Sequence, residues 1–170
     1  LIGRVFLFLG KSFLEMSKNH IAHLRQEYSS EIFDVSHVSQ DPIEQFGIWF
    51  SEALNCGQVE PNAMTLSTCT ASGRPKGRIV LLKGFDHRGF IFFTNYNSHK
   101  GQELAEVPFG SLTFWWDKLH RQVRIEGGVE KIPPEESAEY FQSRPRSSQI
   151  GAWASPQSQI IAGRGMLEEK

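Results

Sequence analysis

The chain has 170 residues, 39% of them hydrophobic and 22% charged, which is enough for one domain with a true core and matches an ordinary globular protein. Its formal net charge of -1 gives no field to hold a polyanion, so a nucleic-acid surface would need a local basic patch. The two cysteines, Cys56 and Cys69, show no CxxC and no His/Cys ligand spacing, which supports neither a disulfide framework nor a metal site and fits a reducing, cytoplasmic setting.

The opening "LIGRVFLFLG" is apolar but too short to span a bilayer and is interrupted by Arg4, and no signal-peptide pattern follows. Met16 reads as a natural start, so residues 1–15 are expected to be upstream or fragment sequence. Residues 1–40 are expected to form a partly disordered N-terminal extension, with one domain over 41–170. Within the extension, Ile21, Leu24 and Tyr28 are spaced for a short helix, and "SSEIFDVSHVSQDP" reads as a loop. "DPIEQFGIWFSEALNCG" then predicts an amphipathic helix capped by Asp41, with Pro42 at its first position and Ile43, Phe46, Trp49, Phe50 and Leu54 on one face, ending near Gly57.

The period then becomes that of strands: "AMTLSTCTA", the turn "GRPKG", "RIVLLKGF", the turn "DHRG" and "FIFFTNY", read as an antiparallel meander. A short helix, "SHKGQELAEVP", is ended by Pro108, and "SLTFWW" and "RQVRIEGGVEKI" follow as strands joined by "DKLH". Successive strands with hairpin turns predict a closed or nearly closed barrel with flanking helices, an antiparallel, mainly β, α+β fold. "PPEESAEYFQSRP" has prolines and acidic residues where a helix starts, "RSSQIGAWAS" reads as an irregular link, and "SPQSQIIAGRGMLEEK" as a final helix capped by Ser155.

Cations recur singly, at Arg78, Lys83, Lys100, Arg121, Arg124, Arg144 and Arg146, a pattern suited to small anionic ligands. In "RIVLLKGF" a cation stands at each end of an aliphatic run, which is explained by wet strand ends or by an anion. In "TNYNSHKGQEL", Thr94 and Asn95 close a strand while Ser98, His99 and Lys100 open a helix, whose free N–H groups and added charge suit a phosphate; the plainer alternative is Ser98 as an ordinary cap. Pairing of "RIVLLK" with "FIFFTNY" would bring Arg78 beside Thr94. Gln122 and Arg124 alternate with Val123 and Ile125, and Gln122 carries the donor and acceptor that a flavin ring edge requires. Tyr140 and Arg144, four residues apart, would share a helix face and offer a hydroxyl and a guanidinium to one phosphate, with Ser148 following; helix C-capping by Arg144 is the plainer alternative. A barrel binding single-stranded nucleic acid would want aromatics among cations in a basic groove, which the charge and the apolar setting of Trp115 and Trp116 oppose.

The segments "EPNAMTLSTCTASGRPKGRIVLLKGF", "GFIFFTNYNSHKGQELAEVP", "RQVRIEGGVEKI" and "YFQSRPRSSQIGAWASPQS", in that order, resemble the pyridoxine (pyridoxamine) 5'-phosphate oxidase family from about Asp41 to Lys170. The resemblance implies an FMN-binding split β-barrel that works as a homodimer with FMN at the subunit interface. It implies oxidation of pyridoxine 5'-phosphate or pyridoxamine 5'-phosphate to pyridoxal 5'-phosphate with O2 as acceptor and H2O2 as product; charge, hydropathy and ligand spacing lead to the expectation of no nucleic-acid, membrane or metal partner.

By the same resemblance, FMN contacts fall on Arg78, Ile79, Val80, Leu81, Lys83, Phe93, Thr94, Ser98, His99, Lys100, Gln122, Gln157 and Ser158. Contacts to the substrate phosphate fall on Lys83, Tyr140, Arg144 and Ser148. Phe93 stands where relatives often carry Tyr, and His99 where they often carry Arg. Family members continue with further strands, a Trp-Gly-Gly stretch and an Arg-x-His motif, so the chain is expected to be a fragment or a truncated form. The alternative to an oxidase is a split barrel that binds flavin or pyridoxal 5'-phosphate without turnover.

Overall fold

The structure is a computed structural model that describes Leu24 and residues 34–168. The chain divides into two units, Leu1–Glu31 and Ile32–Lys170. In the first, the expected helix around Ile21 and Tyr28 lies outside the described residues; Leu24 is exposed and in no regular element. All that follows concerns the second unit.

Helix α1 (Pro42–Asn55) begins as its sequence dictates. The Asp41 carboxylate accepts from the backbone N–H groups of Ile43 (2.7 Å) and Glu44 (3.3 Å), satisfying donors that a first helical turn leaves open. Its buried face is Phe46 and Ala53, with Trp49 and Phe50 packed beside them. Leu54, expected on that face, is 57% exposed, because it stands about 100° around the helix from fully buried Ala53 and so off the stripe that faces the core. Before α1, a short 3-10 turn at Val35–His37, capped by Asp34, lies within the expected loop.

Six strands follow where five are expected. β1 (Ala63–Cys69) pairs antiparallel with β2 (Pro75–Leu81) on one side and with β5 (Phe109–Trp116) on the other, and β6 (Arg121–Gly128) pairs with β5. The sheet order β2-β1-β5-β6 is therefore not a simple meander: β1 takes both partners, and the intervening chain forms a separate two-stranded hairpin of β3 (Gly84–Asp86) and β4 (Gly89–Ile91). The turn between β1 and β2 falls at Thr70–Arg74, ahead of the expected "GRPKG", where Gly73 adopts φ +76 without a side-chain penalty.

The expected pairing of "RIVLLK" with "FIFFTNY" does not form: Arg78 to Leu81 pair with β1, where Arg78 stands opposite Leu66 and not beside Thr94, and the hairpin pairs only Gly84 to Asp86 with Gly89 to Ile91. The strand changes partner in mid-run. The Leu82 N–H donates to the carbonyl of Asn62, the residue that leads into β1 of the large sheet, and the next N–H, that of Lys83, donates to Ile91 O in the hairpin, both at 2.8 Å. A strand that bends from one sheet into another is how antiparallel layers turn a corner.

The core fills the space between these layers. Met64 and Leu66 alternate inward on β1, Leu112, Phe114 and Trp116 on β5, and Val80 and Leu82 come from the β2 side. Phe46 of α1 closes it: its ring meets Phe85 and Phe90 of the hairpin edge-on at 4.8 Å and Phe114 of the sheet at 5.3 Å, so one side chain joins both sheets to the helix. The architecture is an antiparallel split barrel with flanking helices.

Helix α2 (His99–Glu106) lies between β4 and β5, followed by α3 (Pro134–Ser143) after β6. "RSSQIGAWAS" is not an irregular link but helix α4 (Arg146–Ala154), started by Pro145 and anchored by buried Ala154. The helix expected from Ser155 is absent over its first ten residues, where Ser158 takes φ +68, and only α5 (Gly165–Glu168) forms. No helix among the described residues is long and apolar enough to cross a membrane.

Candidate functional site

An open cleft of about 1690 Å³ is lined by residues from β2, the β3–β4 hairpin, the Phe92–Tyr96 segment, α2, α3 and α4. Ile79, Val80, Leu81, Lys83, Phe93, Thr94, Lys100, Tyr140, Arg144, Ser148 and Gln157 all line it. Arg78, Ser98, His99, Gln122 and Ser158 do not.

Two clusters stand out. In the first, the Phe92–Tyr96 segment leads into α2 through Ser98, which is fully buried. Ser98 Oγ donates to Asn95 O (2.6 Å), accepts from the Gly101 N–H (3.4 Å) and from Lys100 Nζ (3.4 Å), and lies 3.5 Å from Thr94 Oγ1. Ser98 is thus the helix cap that its plainer reading describes, and it also touches the lysine. Lys100 Nζ donates to Gln157 Oε1 at 3.0 Å, which ties α2 to the segment after α4. His99 is exposed at the first position of α2. Gly101 is packed so closely on Asn95 and Tyr96 that an added Cβ would lie 2.7 Å from Tyr96 C and 2.8 Å from Asn95 O.

Arg78 reaches this cluster from β2. Its Nη1 donates to Thr68 Oγ1 (2.6 Å) and Leu66 O (3.2 Å), and its Nη2 donates to Glu103 Oε2 (2.9 Å). Burial, together with the Arg78 charge, pushes the Lys100 pKa down, and the Glu103 carboxylate partly opposes this. For Glu103 itself, burial works to raise the pKa. It is outweighed by hydrogen bonds from Thr68 and Arg78 and by the charges of Arg78 and Lys76, so the carboxyl sits below its ordinary value.

In the second cluster, the Phe93 ring stacks on Tyr140 of α3, and Lys83 Nζ lies 5.9 Å from the Tyr140 ring centroid. Arg144 does not share a helix face with Tyr140: its backbone is extended (φ -72, ψ 147) because a residue preceding proline is forced out of the helical region. Its carbonyl accepts from Gln149 Nε2 at 2.8 Å, and Ser148 stands in the first turn of α4. Arg144 and Ser148 still line the same cleft as Tyr140 and Lys83.

Gln122 is exposed on β6, opposite Trp115 of β5, and Ser158 is exposed beside Gln157. Glu103 and Thr68 are the site residues that sequence reasoning missed. The available signal was the spacing of Glu103, three residues after Lys100 and so on the same side of α2. Among the described residues no group of three or more His, Cys, Asp or Glu could hold a metal.

Comparison with known proteins gives a consistent picture. The family described as pyridoxamine 5'-phosphate oxidase matches residues 50–170. A pyridoxine/pyridoxamine 5'-phosphate oxidase of Salinibacter ruber is 56% identical over 154 residues, covering 91% of this chain and 71% of the relative. Among solved structures, PhzG from Burkholderia lata 383, in complex with tetrahydrophenazine-1-carboxylic acid, superposes with a TM-score of 0.78 at 27% identity, over 83% of this chain and 71% of that one. A pyridoxamine 5'-phosphate oxidase-related, FMN-binding protein from Nostoc punctiforme shares the fold, with a TM-score of 0.59 at 17% identity over 76% of this chain and 71% of that one.

Proposed function

The chain belongs to the pyridoxamine 5'-phosphate oxidase family, and from that premise we propose that it binds FMN and oxidises pyridoxine 5'-phosphate or pyridoxamine 5'-phosphate to pyridoxal 5'-phosphate, with O2 as acceptor and H2O2 as product. The observation that carries this reading is the half-buried Lys100 ammonium within electrostatic reach of the Arg78 guanidinium, which is itself ion-paired with the Glu103 carboxylate. Two cations that share one carboxylate counter-charge beside the first turn of a helix suit a phosphate, and each charge-assisted hydrogen bond to it contributes about 1.5–3 kcal/mol.

In this reading Arg78, Ser98 and Lys100 hold the cofactor phosphate, with His99, Gln157 and Ser158 around it. Ile79, Val80, Leu81, Phe93 and Thr94 back the flavin. Bound flavin supplies the two-electron oxidation at the vitamin's C4' carbon. Lys83, Tyr140, Arg144 and Ser148 grip the substrate phosphate, remote from any bond that breaks, so their binding energy is spent on register between donor carbon and flavin. In this reading Gln122, exposed on β6, serves the flavin ring, and the working form is a homodimer with FMN at the subunit interface. The two free thiols suit a cytoplasmic setting.

The test is a titration of the protein with FMN, followed by flavin fluorescence, and then peroxide production with either phosphorylated vitamin. Micromolar or tighter quenching with peroxide release supports the full reading. Quenching without turnover reduces it to a flavin-binding barrel, and no quenching overturns it.

A further inference from the structure

Arg78 is not held by the strand alone. Its guanidinium closes a triangle with two groups on other elements: Thr68 of β1 accepts from Nη1 and donates its own hydroxyl to Glu103 Oε2, and the same Glu103 oxygen accepts from Nη2. Each partner is satisfied by the others, as a buried polar network must be to hold a single geometry. Glu103 is only 8% exposed, so it is no solvated bystander. The groups facing Lys100 are Ser98 and Glu103 from α2, Arg78 from β2, and Gln157 from the segment after α4.

We propose that Glu103 is a positioning residue for the anion site: it fixes the Arg78 guanidinium by hydrogen bond and supplies the counter-charge that lets the Lys100 ammonium persist beside it. The identity of the anion as the FMN phosphate rests on the reading above; the coupling of the three charges does not. Two like charges that act on one another in a half-buried place disfavour one another's ionised forms, and a carboxylate that is paired with one and attracts the other relieves this. The carboxylate also lowers the local positive charge, which by itself would weaken attraction for a phosphate. Fixed direction wins over net charge because a guanidinium locked in place loses little freedom when the ligand arrives.

Glu103→Gln separates the two effects, since it keeps the shape and removes the charge. The first measurement needs no cofactor: acetylation of Lys100 by acetic anhydride, followed by peptide mass spectrometry across pH. Lys100 becomes reactive at lower pH in Glu103→Gln than in the unsubstituted protein. Thr68→Val, which removes the hydroxyl but leaves the carboxylate charged, leaves that profile in place. The second measurement is flavin titration: FMN binds about tenfold more weakly to Glu103→Gln, the scale of one weakened charge-assisted hydrogen bond, while riboflavin, which lacks the phosphate, binds equally to both. Coincident Lys100 profiles in Glu103→Gln and the unsubstituted protein overturn the proposal, as does a shift in Thr68→Val as large as that in Glu103→Gln. Tighter FMN binding by Glu103→Gln overturns the positioning role. If the unsubstituted protein ignores FMN, the cofactor reading fails, and the Lys100 profile alone still decides whether Glu103 sustains its charge.

Discussion

The ring of Phe93 lies flat on that of Tyr140, with centroids 3.6 Å apart and planes 7° from parallel. This contact joins the segment after the β3–β4 hairpin to α3, and it leaves the Tyr140 hydroxyl as the polar end of a clamped, rigid ring. Tyr140→Phe keeps the stack and loses only the hydroxyl. It is expected to raise KM for pyridoxine 5'-phosphate by about tenfold or more, the value of one hydrogen bond to a charged group, with FMN affinity unchanged. Tyr140→Ala loses the stack too, and a larger effect than that of Tyr140→Phe, in initial-rate measurements of peroxide release, is the expected outcome.

Arg144 and Arg78 are predicted to fail differently. Arg144→Ala lowers kcat/KM for the phosphorylated vitamin by about a hundredfold, as befits the loss of a charge-assisted contact, and leaves the FMN dissociation constant nearly as it was. Arg78→Ala releases FMN and also destabilises the fold, by about 3 kcal/mol, because the Glu103 carboxylate is left without its ion-pair partner. Urea unfolding of both variants checks the second half. Loss of FMN by Arg144→Ala with substrate response retained would reverse the assignment of the two phosphates.

Gly101 is required by proximity rather than by backbone angle. Alanine there drives a methyl group into the backbone of Asn95 and Tyr96, which cannot swing aside as a side-chain tip can. Gly101→Ala is expected to cost about 1–3 kcal/mol, as overpacking does, and to weaken FMN binding by displacing Ser98 and Lys100. A thermal melt beside an FMN titration tests both effects.

The two shifted groups give pH effects of opposite sense. Glu103 has a folded pKa below its ordinary value, so its contribution to stability is fully present above the unfolded carboxylate value of about 4.3 and is lost as pH falls through the lower, folded value. Glu103→Gln should flatten that part of the acid unfolding curve. Lys100 is also lowered, but it is a base: the folded state disfavours its charge, so its destabilising effect is present at neutral pH and is relieved as pH rises through the folded value towards the ordinary 10.5. FMN binding needs the ammonium and weakens over that same alkaline range. Urea midpoints and FMN dissociation constants against pH should therefore diverge on the alkaline side.

Phe46→Ala opens a cavity where α1, the large sheet and the hairpin meet, and a loss of about 3–5 kcal/mol is expected from a buried phenylalanine truncation. Equilibrium unfolding in urea measures it.

What the sequence made legible was local. Asp41 followed by Pro42 specifies the start of α1 through groups two or three residues apart, and alternation over β1, β5 and β6 specifies which side chains turn inward. The cap at Ser98 was readable from its place before α2, whereas Arg78 reaches this cluster through Glu103 and not through the expected pairing with "FIFFTNY". What escaped was set by distant or competing terms. The bend after Leu82 depends on two partners, Asn62 and Ile91, whose arrangement no window of the sequence contains. Helix α4 was hidden by Ser147, Ser148 and Gly151, poor helix formers that hold their shape through Pro145 and the burial of Ala154. The Arg144 backbone was set by Pro145, a local rule that outweighs four-residue spacing. Glu103 found its partner across a tertiary contact between α2 and β2.

The corner at Leu82 and Lys83 turns two consecutive peptide groups into separate gauges of the barrel. The Leu82 N–H is protected only while the large sheet holds Asn62, and the Lys83 N–H only while the hairpin holds Ile91. Deuterium uptake at these neighbours distinguishes two ways of opening. Equal protection means the barrel parts as one cooperative unit. Faster uptake at Lys83 means that the three-pair hairpin peels away first, carrying a lysine of the cleft with it while the sheet behind stays shut.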